Sequence, residues 1–155
     1  MKSLLILITL IVGLRLSTSS ILVTFPHAVA LRGCTQEDAP ALELYLTPGI
    51  YSGQGEPHKP YLHIELAGSN WEKLRGRDLD LLPLSRQGID TKKPIVRADL
   101  NLEEQSPVWL RGSLHLEVID VGRKVVGAYK FVEAEGIQRS GVFNARWIPL
   151  RQTCG

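Results

Sequence analysis

Residues 62–66 read LHIEL and residues 114–118 read LHLEV, two copies of an apolar-His-apolar-Glu-apolar pattern in well-separated parts of the chain. On an extended backbone, side chains two apart share a face, so His63 lies beside Glu65 and His115 beside Glu117. If the two segments were neighbouring strands in register, all four groups would gather within cross-strand distance. Two imidazoles and a carboxylate suit zinc or a similar divalent metal, and an open coordination position would activate water. The chemistry would be metal-assisted hydrolysis, with His63 and His115 as ligands and Glu65 or Glu117 as third ligand or base. His58, in GQGEPHKP, is a further candidate ligand. A simpler reading uses the same letters: a half-buried strand needs polar residues at alternate positions, and His and Glu fill them. The simpler reading is preferred here, with the metal site kept as the alternative.

Other catalytic arrangements are missing from the sequence. It has no G-x-S-x-G elbow, no Walker-type phosphate loop and no C-x-x-C-H haem attachment. Glu103-Glu104 precede Ser106-Pro107 as a charged turn, and Asp78 and Asp80 share the outer face of an edge strand. No catalytic residue is therefore assigned.

The elements that would carry these residues are strands. ALELYLT (41–47), PYLHIEL (60–66), IVRADLNLE (95–103) and VWLRGSLHLEVIDV (108–121) all alternate apolar with polar positions. Such a period of two marks antiparallel strands with one buried and one wet face. KVVGAYKFVE and RSGVFNARWIP follow at short intervals, separated by Gly-containing polar turns, and predict a three-stranded C-terminal meander. Gly112, Gly127 and Gly141 fall inside these strands, where bulges or close approach of large rings would account for them. The expected fold is all-β, an antiparallel sandwich or small barrel in a single domain. A calycin-like barrel enclosing an apolar ligand is a variant of the second form.

One helical signal stands out. Ser69 followed by Glu72 has capping-box spacing, and Gly76 can end the turn. Trp71 on that turn is expected to be exposed and is the candidate contact residue. Trp109, Tyr129, Phe131, Phe143 and Trp147 in the meander are expected mainly in the core, with any outward ring available for contacts. Residues 53–60 and 85–94 are rich in Gly, Pro and charge and read as exposed loops.

The ends of the chain bear on location. A lysine, an apolar run from Leu4 to Leu14 and a closing Ala28-Val29-Ala30 describe a signal peptide over residues 1–30, leaving 31–155 as the domain. The run is too short to span a bilayer, so no membrane span is expected in the mature chain. Leu31-Arg32-Gly33-Cys34 offers lipid attachment at Cys34 as a lesser alternative. The chain has 18 Lys and Arg against 16 Asp and Glu. Lys2 and Arg15 supply the excess, so the remainder is formally neutral, which argues against nucleic acid. Cys34 and Cys154 are expected to form a structural disulfide, as an even cysteine count suggests outside the cytoplasm.

From Gly112 to Ala145 the chain runs G-S-L-H-L, V-V-G-A-Y-K-F and S-G-V-F-N-A. This segment of the C-terminal third resembles the closing meander of small exported bacterial β-rich domains of uncharacterised function. The resemblance implies an exported β domain and brings no catalytic residues. Together these readings point to a periplasmic or secreted binding or structural module of the cell envelope, with an unidentified protein or small ligand as partner. No cofactor is expected unless the His/Glu pairs hold a metal.

Overall fold

The computed structural model describes residues 24–35, 38–81, 94–149 and 154; the loop read at 85–94, apart from Pro94, and the N-terminal apolar run lie outside them. Among the described residues the alternating segments form nine strands: β1 (His27–Cys34), β2 (Pro40–Thr47), β3 (Tyr61–Ala67), β4 (Arg77–Asp80), β5 (Val96–Asn101), β6 (Val108–Trp109), β7 (Arg111–Asp120), β8 (Lys124–Val132) and β9 (Gln138–Trp147). They make one curled sheet, a half-barrel, in the order β4-β7-β8-β9-β1-β2-β3-β5-β6. All neighbours are antiparallel except β1 and β9, which run parallel. The fold is thus all-β with the expected meander β7-β8-β9, built as one sheet and not as two stacked ones.

One segment serves both borders of the curl. Val108 and Trp109 pair with Leu100 and Asp99 of β5, and the Leu110 amide donates to the Ala98 carbonyl at 2.9 Å. From Arg111 onward the same strand pairs with β8. Below that point β4 lies along the free edge of β7. The outer edges are blunt: β4 exposes Arg77, Asp78 and Asp80, and β6 has only two residues. Short, charged edges resist pairing with other chains.

The concave face holds the core. Leu42, Leu44, Leu46, Leu62, Ile64, Leu66, Leu100, Leu114, Leu116 and Phe131 are each less than 2% exposed, so side chains occupy the interior. Two cross-strand rows show how glycine makes room there. Gly127 sits between Leu116 and Phe143, and Gly141 lies opposite Tyr129. A Cβ on Gly127 would stand 2.3 Å from the His115 carbonyl oxygen and 2.8 Å from the Phe143 ring. At Gly141 it would meet the Tyr129 ring at 3.0 Å. A bulge between Leu116 and Val118 then turns Ile119 inward, where strict alternation placed Val118.

Two sequence expectations change here. Trp71 is 5% exposed and packs in the core, its indole N–H donating to the Leu66 carbonyl at 3.2 Å. Its ring tilts against Trp147, with the Arg32 guanidinium 5.9 Å from its centroid. The element is a single 3-10 turn, Trp71–Leu74, whose N-cap is Asn70 without a side-chain cap. Burial of Trp71 and Leu74, not a capping box, holds it. Trp71 is therefore a core anchor and not a surface contact.

The second change concerns the domain boundary. β1 begins at His27 and lies between β9 and β2. Val29, Ala30 and Leu31 are each at most 5% exposed. Ala30 pairs with Leu44 and Trp147, and its carbonyl accepts from the Ile148 amide at 2.7 Å. A cut after Ala30 would sever this interior strand, so the folded domain extends upstream of residue 31. Small residues at alternate positions suit a crowded strand face as well as a processing site, which is why Ala28-Val29-Ala30 reads both ways. Cys34 is bonded to Cys154, with Cα atoms 5.6 Å apart, which removes it as a lipid attachment point in this fold. Among the described residues no helix is long and apolar enough to cross a membrane.

Candidate functional site

The convex face of β2, β3 and β5 carries the polar halves of three alternating strands. The register lines them up in rows. Glu43, Glu65 and Arg97 form one; Tyr45, His63, Asp99 and Trp109 form the next; Tyr61 and Asn101 form the third. A face exposed to water would leave these groups solvated. Here the connection between β2 and β3 folds back, burying Tyr51, Gly53 and Pro57, and Asp99, Asn101 and Tyr61 become buried as well. The loop expected to be wholly exposed at 53–60 is partly a cover.

Beneath it, polar groups are tied to one another. His63 Nδ1 and Asp99 Oδ1 are 3.0 Å apart, and Asp99 also accepts from the Asn101 side-chain amide. The His63 ring stacks on Tyr45 at 4.7 Å between centroids and 19° between planes. Tyr45 contacts Tyr51 and Tyr61 at 5.5 and 5.9 Å and donates its hydroxyl to Glu43 at 2.7 Å. Tyr61 donates to Glu56 at 2.5 Å, and Tyr51 to the Gly55 carbonyl. Glu65 and Arg97 stand 3.5 Å apart.

The electrostatics follow from burial beside carboxylates. Burial lifts the phenol pKa values of Tyr45, Tyr51 and Tyr61, and the charges of Glu43 and Glu56 lift them further, so all three stay protonated donors. For His63, burial opposes the charged form. The bond to Asp99 and its charge, with Glu43 and Glu65, outweigh that and hold the pKa above the ordinary histidine value. His63 Nε2 is buried and lacks a hydrogen-bond partner among the described residues. An Asp-His pair with one free nitrogen has the form of a general base. Here that nitrogen is shielded, and no hydroxyl or thiol nucleophile is bonded to it.

The H-x-E residues are not brought together. His63 and Glu65 lie on β3, His115 and Glu117 on β7, with β2, β1, β9 and β8 between them in the sheet. Both histidines face outward from the curl. His115 pairs with Asp78 at 2.8 Å on an exposed surface, and Glu117 sits exposed at the bulge. Among the described residues no three His, Cys, Asp or Glu side chains form a group able to hold a metal. His58 is exposed on the covering loop, and Trp109 is the meander-region ring that faces out, at 38% exposure.

Next to the tyrosines, the covering loop encloses an open recess of about 310 Å³ between Thr47 and His58. Ile50 at its rim is 86% exposed. Sequence reading missed Glu43, Tyr45, Tyr51, Glu56 and Asp99 as members of this site. The available signal was the recurrence of Tyr at 45, 51 and 61 around one Gly/Pro-rich connection. No family model matches the chain, and no similar curated protein or solved structure was found.

Proposed function

We propose that this protein is an extracytoplasmic binding module that engages its partner or ligand through the covered convex face at residues 47–63, without catalysis. The supporting observation is the outer-face network of half-buried Tyr45 and His63 with buried Asp99, beside a loop that keeps an open recess and an exposed isoleucine. A sheet needing only solubility would leave such a face solvated. Compact loops whose ends meet, packed by their own side chains, are frequent binding elements. The Cys34–Cys154 disulfide supports an oxidising compartment, and the N-terminal apolar run supports export, with processing upstream of β1.

Hydrogen–deuterium exchange on the purified, disulfide-bonded protein, with and without envelope extract, tests this reading. Protection confined to residues 47–63, and lost in Ile50→Asp, is the expected result. Protection confined to the β7-β8-β9 face would overturn it. So would metal-dependent hydrolysis abolished by His63→Ala.

A further inference from the structure

We propose that the recess at residues 47–58 takes a cationic N–H donor, an ammonium or guanidinium group carried on an apolar stem. This rests on the binding-module reading and names the chemistry of the ligand. The reasoning starts from where the hydroxyl protons go. Thr47 donates to the Gly49 carbonyl at 2.6 Å, Tyr51 to the Gly55 carbonyl, and Tyr61 to Glu56. With those protons spent inside the loop, the Thr47 and Tyr51 oxygens, whose residues line the recess, keep only acceptor capacity. Glu56 uses one carboxylate oxygen for Tyr61 and has no second donor among the described residues. The site is therefore rich in acceptors, and its complement is a group with several N–H bonds.

Charge points the same way. Glu43 and Glu56 both act on the Tyr51 hydroxyl, and Asp99 joins Glu56 in acting on Tyr61. Against them stand Lys59 in the same loop and Arg97, engaged with Glu65. Gln54 and His58 also line the recess and can orient a ligand by hydrogen bonding. Exposed Ile50 and the Tyr51 ring supply an apolar edge for the stem, and a tyrosine face attracts a cation placed beside it.

The test is a nitrogen-15 NMR titration of the full disulfide-bonded chain. Probes are Nα-acetyl-arginine amide and Nα-acetyl-lysine amide, with the norleucine and glutamate analogues as neutral and anionic counterparts. Saturable shifts at residues 47–58 are expected with the basic probes alone. Glu56→Gln should weaken them about tenfold or more, as loss of a charge-assisted bond predicts. Glu117→Gln, on the distant β7 bulge, should change nothing. Ile50→Ser provides a second variant that removes the stem contact and leaves the charge, and it should weaken both basic probes. Butylamine and a Gly-Arg-Gly peptide separate the sources: equal affinity assigns a small amine, tighter peptide binding a protein side chain, and each supports the proposal. Equal shifts with norleucine, or no effect of Glu56→Gln, would overturn it. Saturable binding of only the neutral or anionic probe would remove the cation and leave the binding-module reading standing. Absence of localised shifts with every probe would remove both.

Discussion

Replacing both cysteines with alanine tests how the chain ends are held. Cys34 and Cys154 are 120 residues apart in sequence and bonded. In the chain-entropy treatment a ring of that length restricts the unfolded ensemble by about 5 kcal/mol at 25 °C. A compact denatured state recovers part of this, so the expected loss is about 3–5 kcal/mol. With a urea slope of about 1.5–2 kcal/mol/M for a domain of this size, the unfolding midpoint should fall by about 2 M. The assay is equilibrium urea unfolding followed by tryptophan fluorescence. It compares the oxidised wild type, the reduced wild type and Cys34→Ala/Cys154→Ala. The last two should coincide, because both have lost the same constraint. A change below about 1 kcal/mol would refute the reasoning, since it would mean that the denatured chain already holds the two cysteine-bearing segments close together without the covalent link.

Further outcomes follow from individual contacts. Gly127→Ala should destabilise by about 3 kcal/mol or more, because its Cβ meets the His115 carbonyl at 2.3 Å and backbone cannot step aside cheaply; thermal unfolding checks it. His63 has a raised pKa in the folded state, so its protonation contributes stability that is complete below about pH 6.5 and is lost as pH rises through the folded value. The stability of wild type relative to His63→Gln should therefore hold level below about pH 6.5 and fall above it, as read by urea midpoints. A chain starting at Leu31 should lose about 3 kcal/mol or more relative to one starting at Phe25, through lost burial of Val29 and lost β1 hydrogen bonds; circular dichroism melts compare the two. Acrylamide should quench fluorescence from Trp109, at 38% exposure, in preference to Trp71 and Trp147.

Much of the sheet was legible because alternation is a local signal. Leu42, Leu44 and Leu46 or Leu62, Ile64 and Leu66 declare their inner face without reference to any other strand. The cysteine pairing was legible for a different reason, since two cysteines allow one intramolecular bond. Register and strand order were not legible. His63 meets Asp99 because β3 pairs with β5 across a connection that includes the 3-10 turn and β4, and neither LHIEL nor RADLN encodes that neighbour. The same ignorance of order made two H-x-E segments look like one site when four strands lie between them. Trp71 misled because a capping pattern describes how a turn could start, whereas its indole was claimed by a core that forms from distant strands. Ala28-Val29-Ala30 reads two ways because residue size alone cannot separate a buried strand from a cleavage site.

The position of β1 has a consequence for how the protein is made. Its neighbours are the second strand and the last, so the hydrogen-bonding of the first strand is completed only when Arg146 and Trp147 arrive. The hairpins of the meander can form as they emerge, because their contacts are near in sequence. Closure around β1 must wait for β9. A nascent chain of this design leaves one edge of β1 unpaired until β9 has been made, so the sheet closes late around its first strand.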